Sequence, residues 1–280
     1  MLSFVLIALA SLFFTGVIIR TKSITAGRKG PGIMQPVKDV IRLMKKGAVY
    51  SQTTSIVFRL APVVYFCTVA MAALLIPFGS SRGVISFNGD FIFFAYLLGL
   101  GKFFNIIAAM DTGSSFEGMG ASREALYSLF AEPAFFIILG SYITYALAVL
   151  AALVLAMIAM IENSRLPIDD PKTHLELTMV HEVMILDNSG FDLGLILYAG
   201  YLKFAIFGAI IANLFTGGMS LLWALVVFVG TQFSFAVVIG LIESFMARFR
   251  MNHNAQFIFA LSSVSFLIFL GVLLVLGKFI

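Results

Sequence analysis

Apolar residues dominate windows near 2–19, 57–77, 91–109, 192–214, 220–242 and 256–277, each bounded by polar or glycine-containing turns. Runs of about 18 or more apolar residues predict membrane-spanning helices. A longer apolar stretch covers 122–161. As one helix it would run about 60 Å, roughly twice a bilayer core. A division at Gly140-Ser141 into two spans joined by a tight turn is the better reading, and it brings the predicted total to eight transmembrane helices. Between the first two spans, IMQPVKDVIRLMKK (33–46) has helical spacing, with Ile33, Val37, Val40, Ile41 and Met44 on one side. Lys38, Asp39, Arg42, Lys45 and Lys46 face the other way. This pattern fits an amphipathic helix lying in the membrane interface, with an ordinary surface helix as the alternative.

The segment after the fifth span breaks the apolar pattern. ENSRLPIDDPKTHLELTMVHEVMILDNSG (162–190) holds two of the chain's three histidines and six of its 14 carboxylates. Asp170 suits an N-cap and Pro171 a first helical position. A polar loop-helix is predicted from there to about Asp187, stopped by Asn188-Ser189-Gly190. On it His174, Thr178 and His181 share a face, with Glu182 beside them and Glu176 and Asp187 nearly opposite. A helix polar on two sides cannot face lipid and must pack among protein or water.

Composition decides the class. The chain is 61% hydrophobic and 11% charged, and its mean hydropathy is +1.05. A soluble domain is nearer a quarter charged, so an all-α integral membrane protein is expected, organised as one membrane domain over 1–280. Alternating β-barrel patterning and internal repeats are absent. A single cysteine, Cys67, excludes a disulfide framework and a thiolate metal cluster. The net charge of +4 calls for no nucleic-acid partner. The N-terminus lacks the basic start of a cleavable signal and reads as a first span beginning outside. With eight spans, loops 20–56, 110–121, 162–191 and 243–255 and their edges hold 14 of the 18 Lys and Arg residues. Basic residues concentrate on the cytoplasmic side, which predicts an inner-membrane protein with both termini outside.

Carboxylates also occur at membrane depth. Glu132 falls mid-span, Glu124, Glu162 and Glu243 near the cytoplasmic ends of spans, and Lys203 about two turns into the sixth. A charged side chain there costs roughly 2.5–3.5 kcal/mol even on permissive scales. Several together imply a hydrated polar path through the bundle. Lys203 and Lys102 are candidate counter-charges for Glu132, or they snorkel. His174 and His181 are two helical turns apart, about 10 Å, too far for paired ligation of one metal ion. No Ser or Cys is arranged for hydrolysis. A proton relay or docking surface, and a solvated helix whose charges only pair locally, both remain open from the residues themselves.

Three blocks carry a family likeness. The 162–190 block, with Pro171, Thr173, His174, Leu175, Glu176, Leu177, Thr178, Met179, His181 and Glu182, is the most specific. RKGPGIMQPVKDVIRL (28–43) and MDTGSSFEGMGASRE (110–124) add to it. Together they resemble the family joining complex I NADH dehydrogenase subunit 1 with the membrane subunits of formate hydrogenlyase and energy-converting nickel–iron hydrogenases, in its hydrogenase branch. The resemblance implies eight transmembrane helices with an interfacial helix, and no redox cofactor in this chain. It implies a cytoplasmic arm of hydrogenase-like large and small subunits carrying iron–sulfur clusters and a nickel–iron centre, and antiporter-like membrane partners. By matching positions, Glu162, Glu176, Glu182 and Glu124 would line a polar funnel from the arm into the membrane. Arg165, Asp169 and Asp170, and Arg28, Gly30 and Pro31 in the first loop, would shape or dock those loops. Asp187, in LDNSG, stands where the respiratory branch has an acid in EYSG, a departure that leaves its role open. A quinone-chamber subunit, a pure scaffold and a stand-alone secondary transporter are the competing readings; the last predicts inverted repeats, which are absent.

Overall fold

A computed structural model describes residues 2–79, 81–141, 145–170 and 179–275. Ten helices form among them: α1 (Leu2–Thr25), α2 (Gln35–Met44), α3 (Ile56–Leu75), α4 (Asp90–Asp111), α5 (Ser115–Gly140), α6 (Tyr145–Glu162), α7 (His181–Met184), α8 (Gly190–Thr216), α9 (Leu221–Phe245) and α10 (Met251–Val275). Six of these, α1, α3, α4, α8, α9 and α10, are long and apolar enough to cross a membrane. The chain is an all-helical, multi-pass membrane protein. The 122–161 stretch divides where its sequence predicts: α5 ends at Gly140, and Ser141 has extended backbone. Six spans, however, are what length and apolarity establish. The apolar part of α6, Leu147–Glu162, is short, and α5 carries Glu117, Arg123, Glu124 and Glu132.

The most buried helix is α8, with 72% of its most apolar window enclosed against 28% for α10. It packs against α1, α2, α3, α6 and α9. Small residues make this possible: Ala199, Ala205, Ala209 and Ala212 are all buried, and close helix approach in membranes depends on such residues. On one flank α1 lies against α9; on the other, α5 packs with α4, α6 and α10. The polar connections gather at one end of the bundle. There Lys22 of α1 meets Glu243 of α9, the Ser55 N–H donates to Asp111 at 2.7 Å, and the Tyr50 hydroxyl donates to Asp192 at 2.7 Å. Packed against α8 at this end, α2 buries Pro36 and Val40 while leaving Ile41 exposed, as is Ile33 just before the helix. The predicted apolar face is therefore split between protein and surroundings.

The loop-helix expected over 170–187 is not continuous. Residues 179–180 are non-helical and α7 is a single turn, His181–Met184. Residues 171–178, with His174 and Glu176, lie outside the described residues, so the shared face with His181 does too. Asp169 explains the break. Its Oδ2 accepts the N–H of both Val180 and His181 at 3.1 Å. A straight helix would carry those groups about 16 Å away along its axis, which these two contacts do not allow. Asn188-Ser189-Gly190 does not end a helix but begins α8, with Ser189 as the N-cap.

Gly120 of α5 lets this loop seat. A Cβ there would stand 2.7 Å from the Val180 carbonyl oxygen and closer still to the Val183 side chain. Gly120→Ala should therefore lift α7 off α5, at a cost of about 1–3 kcal/mol for overpacking. Limited proteolysis within 179–187 should quicken in this variant; cleavage at the wild-type rate would mean the loop is not held here.

Candidate functional site

The centre of the molecule is a cluster of charges. Lys102 of α4 is 7% exposed and Lys203 of α8 1%. Neither snorkels, and neither pairs with Glu132; both close on Glu162 at the C-terminal end of α6. Lys102 Nζ donates to Glu162 Oε1 at 2.6 Å, and Lys203 Nζ donates to Oε2 at 2.8 Å and to the Glu162 carbonyl at 2.9 Å. Glu124 Oε1 of α5 lies 3.7 Å from Lys102 Nζ. Two ammonium groups and two carboxylates thus balance in a low-dielectric interior, where an unpaired charge would be far costlier. Two water-sized cavities of about 10 Å³ flank Glu162. One is lined by Tyr65, Asn105, Glu124 and His181, the other by Glu132, Phe135 and Phe207.

Above the cluster the loop is clamped at several points. Besides the two N–H groups, Asp169 Oδ1 pairs with Arg248 at 3.0 Å and accepts the Asp170 N–H at 3.0 Å. Arg123 Nη1 donates to the Met179 carbonyl at 2.9 Å. Asn254 Nδ2 donates to the Tyr127 hydroxyl and the Ile168 carbonyl. Arg165 Nη1 reaches Glu243 Oε1 at 3.1 Å and lies over the Phe204 ring. Glu243 also takes Lys22, so it ties α1, α9 and this loop together. Asp187 is exposed, and its N–H donates to buried Glu117 at 3.3 Å.

Three loop groups have shifted proton affinities: burial raises that of Asp169, and two others shift further. Burial, reinforced by the positive charge of Lys203, pushes the His181 imidazole down to about 4 against the pull of Asp169, so it is neutral at pH 7. Burial first, then the Asp169 charge, pushes the Glu182 carboxyl up to about 7, with Arg165 opposing. The native state keeps this proton above the ordinary value of 4.5. Stability owed to protonated Glu182 is therefore present at low pH and lost as pH rises from about 4.5 to about 7. An infrared carbonyl band of a protonated carboxyl should fade through about pH 7 in the wild type and be missing in Glu182→Gln; its survival in that variant would assign the titration elsewhere.

Not every candidate joins this site. Arg28 and Pro31 are exposed at the α1–α2 connection, where Gly30 accepts a bond from Arg20 at 3.3 Å. Glu132 is half-buried in α5, on the far side of the second small cavity. Among the described residues no three His, Cys, Asp or Glu side chains converge to hold a metal ion.

The family description "NADH dehydrogenase" matches residues 1–275. The chain belongs to the NADH dehydrogenase family. The resemblance read from its three blocks is thereby borne out, hydrogenase relatives included. This family member is 28% identical to formate hydrogenlyase subunit 4 of Escherichia coli over 96% of each chain. It is 32% identical to hydrogenase-4 component C of the same organism over 55% of this chain and 45% of that one. An NADH-quinone oxidoreductase subunit of Methylococcus capsulatus is 25% identical over 68% of this chain and 66% of its own. The fold matches a chain of the membrane-bound sulfane sulfur reductase, an archaeal respiratory membrane complex, with a TM-score of 0.78, 19% identity and 97% of both chains covered.

Sequence reasoning missed several residues of this family member's polar end. Glu117 is 2% exposed and Asp192 4%, yet each sits near a helix start, where an acid reads as an ordinary first-turn residue. Asn254 and Arg248 flank the α9–α10 connection and gave no pattern of their own. The usable signals were Lys102 and Lys203, lysines inside apolar runs, which demand buried partners; which partners was beyond periodicity.

Proposed function

We propose that this chain is the membrane-anchoring and coupling subunit of a multisubunit hydrogenase complex of the energy-converting or formate hydrogenlyase type. It spans the membrane eight times, with both termini outside and the polar loops in the cytoplasm. A soluble arm with iron–sulfur clusters and a nickel–iron centre docks on those loops, and antiporter-like subunits lie beside it in the membrane. The observation that carries this reading is the Glu162 carboxylate held between Lys102 and Lys203, directly under the loop bearing His181 and Glu182. Similarity to formate hydrogenlyase subunit 4 along 96% of the chain supports the hydrogenase assignment.

The coupling follows from electrostatics. A unit charge arriving about 10 Å from Glu182 changes its energy by about 1.7 kcal/mol at an effective dielectric of about 20, a little over one pKa unit. Glu182 titrates near 7, so such a charge takes up or releases its proton. The loop is tied to the bundle through Asp169, Arg165 and Arg123. Redistribution of charge there acts on the balanced cluster below and, through Glu124 and Glu162, on proton or sodium-ion movement in neighbouring subunits.

The complex purified through this chain decides the matter. Hydrogen evolution from a low-potential donor, accompanied by ion uptake into vesicles, is the expected result. Bound quinone with quinone-reductase activity and no hydrogenase activity would instead select the quinone-chamber reading, which the likeness to the NADH-quinone oxidoreductase of Methylococcus capsulatus favours.

A further inference from the structure

Between α4 and α5 lies a lateral cleft of about 590 Å³, lined by Tyr96, Lys102, Phe103, Ser128, Leu129 and Glu132 among others. Its rim is apolar and open: Tyr96 is 68% exposed, Leu129 65% and Phe103 55%. Inside it, one side chain lacks its ordinary partners. Glu132 makes no hydrogen bond, and no ion pair within 4.0 Å, among the described residues; its carboxylate lies over Gly99 of α4. The next residue, Pro133, sits inside α5. Proline has no N–H, so the Leu129 carbonyl loses its usual donor four residues on. Glu132 stands about 12 Å along α5 from Glu124, which places it well inside the span.

Lipid is a poor occupant for such a cleft. An unsatisfied acceptor facing hydrocarbon costs several kcal/mol, and the Glu132 carboxyl group lines this cleft without a hydrogen bond among the described residues. The two cations nearest in the fold, Lys102 and Lys203, are committed to Glu162 and Glu124. We infer that the α4–α5 cleft is the seat of a transmembrane helix from a neighbouring membrane subunit, which brings a basic, hydrogen-bond-donating side chain (lysine, arginine or histidine) to Glu132. The complementarity is specific: one carboxyl group at depth with no ion pair within 4.0 Å among the described residues, beside a Lys102 whose hydrogen bond goes to Glu162, and an apolar rim. The small cavity shared by Glu132 and Glu162 places this contact next to the buried cluster. The inference rests on the multisubunit reading above but names a face and a chemistry that reading leaves open.

Tyr96→Cys and Leu129→Cys, each with Cys67→Ser, test it in the assembled complex in native membranes. A short bismaleimide should join both positions to the same transmembrane helix of one other subunit. A lipid-soluble maleimide should label them far more slowly than after denaturation in detergent. Glu132→Lys should reduce recovery of that subunit with the complex by about tenfold, the ratio for roughly 1.4 kcal/mol, and Glu132→Gln by less. Cross-linking to a second copy of this chain, labelling at the denatured rate, or full recovery with Glu132→Lys would each overturn the inference. Ion transport is not a readout here. Loss of coupling with this contact intact would count against the coupling reading alone, and loss of the contact with coupling intact against this one alone.

Discussion

Glu162→Gln should destabilise the protein by about 3–5 kcal/mol, the cost of stripping one partner from a buried pair, and should leave turnover uncoupled from ion transport. The carboxylate accepts from Lys102 at 2.6 Å and from Lys203 at 2.8 Å. An amide keeps one acceptor but no charge, and two ammonium groups then share a single remaining carboxylate, Glu124. Unfolding of the detergent-solubilised protein measures the first effect; ion uptake per hydrogen evolved measures the second. Adding Lys203→Met should restore much of the stability, because the residual cluster of Lys102 and Glu124 is again neutral, and the double-mutant cycle would read that coupling directly. Ion uptake should stay low in the stable double variant. Wild-type coupling in either variant would end the relay reading, whatever happens to stability.

The second large effect belongs to Asp169. This carboxylate is fully buried and holds three backbone N–H groups and one guanidinium. In Asp169→Ala the Val180 and His181 amides lose their acceptor and Arg248 loses its ion pair with this residue. Exchange of those two amides with solvent should accelerate by roughly a hundredfold or more, since about 3 kcal/mol of protection is removed. The soluble arm proposed to dock on this loop should be lost from the complex as the loop lifts. Asp169→Asn, which keeps one acceptor oxygen, should fall between. If both amides exchange at the wild-type rate in Asp169→Ala, the loop is held by its packing on α5 at Gly120 instead.

The contrast between these two residues shows how far the sequence could be read. Glu162 stood out at once as an acid closing an apolar run, and cost alone required a partner for it. Lys102 and Lys203 stood out in the same way, but sequence offered Glu132 as their partner, and the bundle gave them to Glu162. Asp169 could be seen as a loop-shaping acid beside a proline-rich turn. Its target amides lie 11 and 12 residues downstream, beyond any local capping rule, and residues 179–180 there are not helical although periodicity extended a helix to Asp187. The α2 pattern predicted its helix well, yet Val40 turns to protein and Ile41 outward; adjacent residues on one apolar arc differ only by which neighbour arrives.

By itself the sequence determined the class, the positions of the long apolar helices, the break at Gly140, and the family. Those follow from periodicity, length and local motifs, which act along one chain axis. Only the tertiary structure decided which charge meets which, which amides Asp169 holds, and that Glu132 lies in a lateral cleft without an ion pair to the central lysines. Each of these depends on the rotation and depth of whole helices against one another, and a helix pattern that is apolar nearly all round carries no record of either.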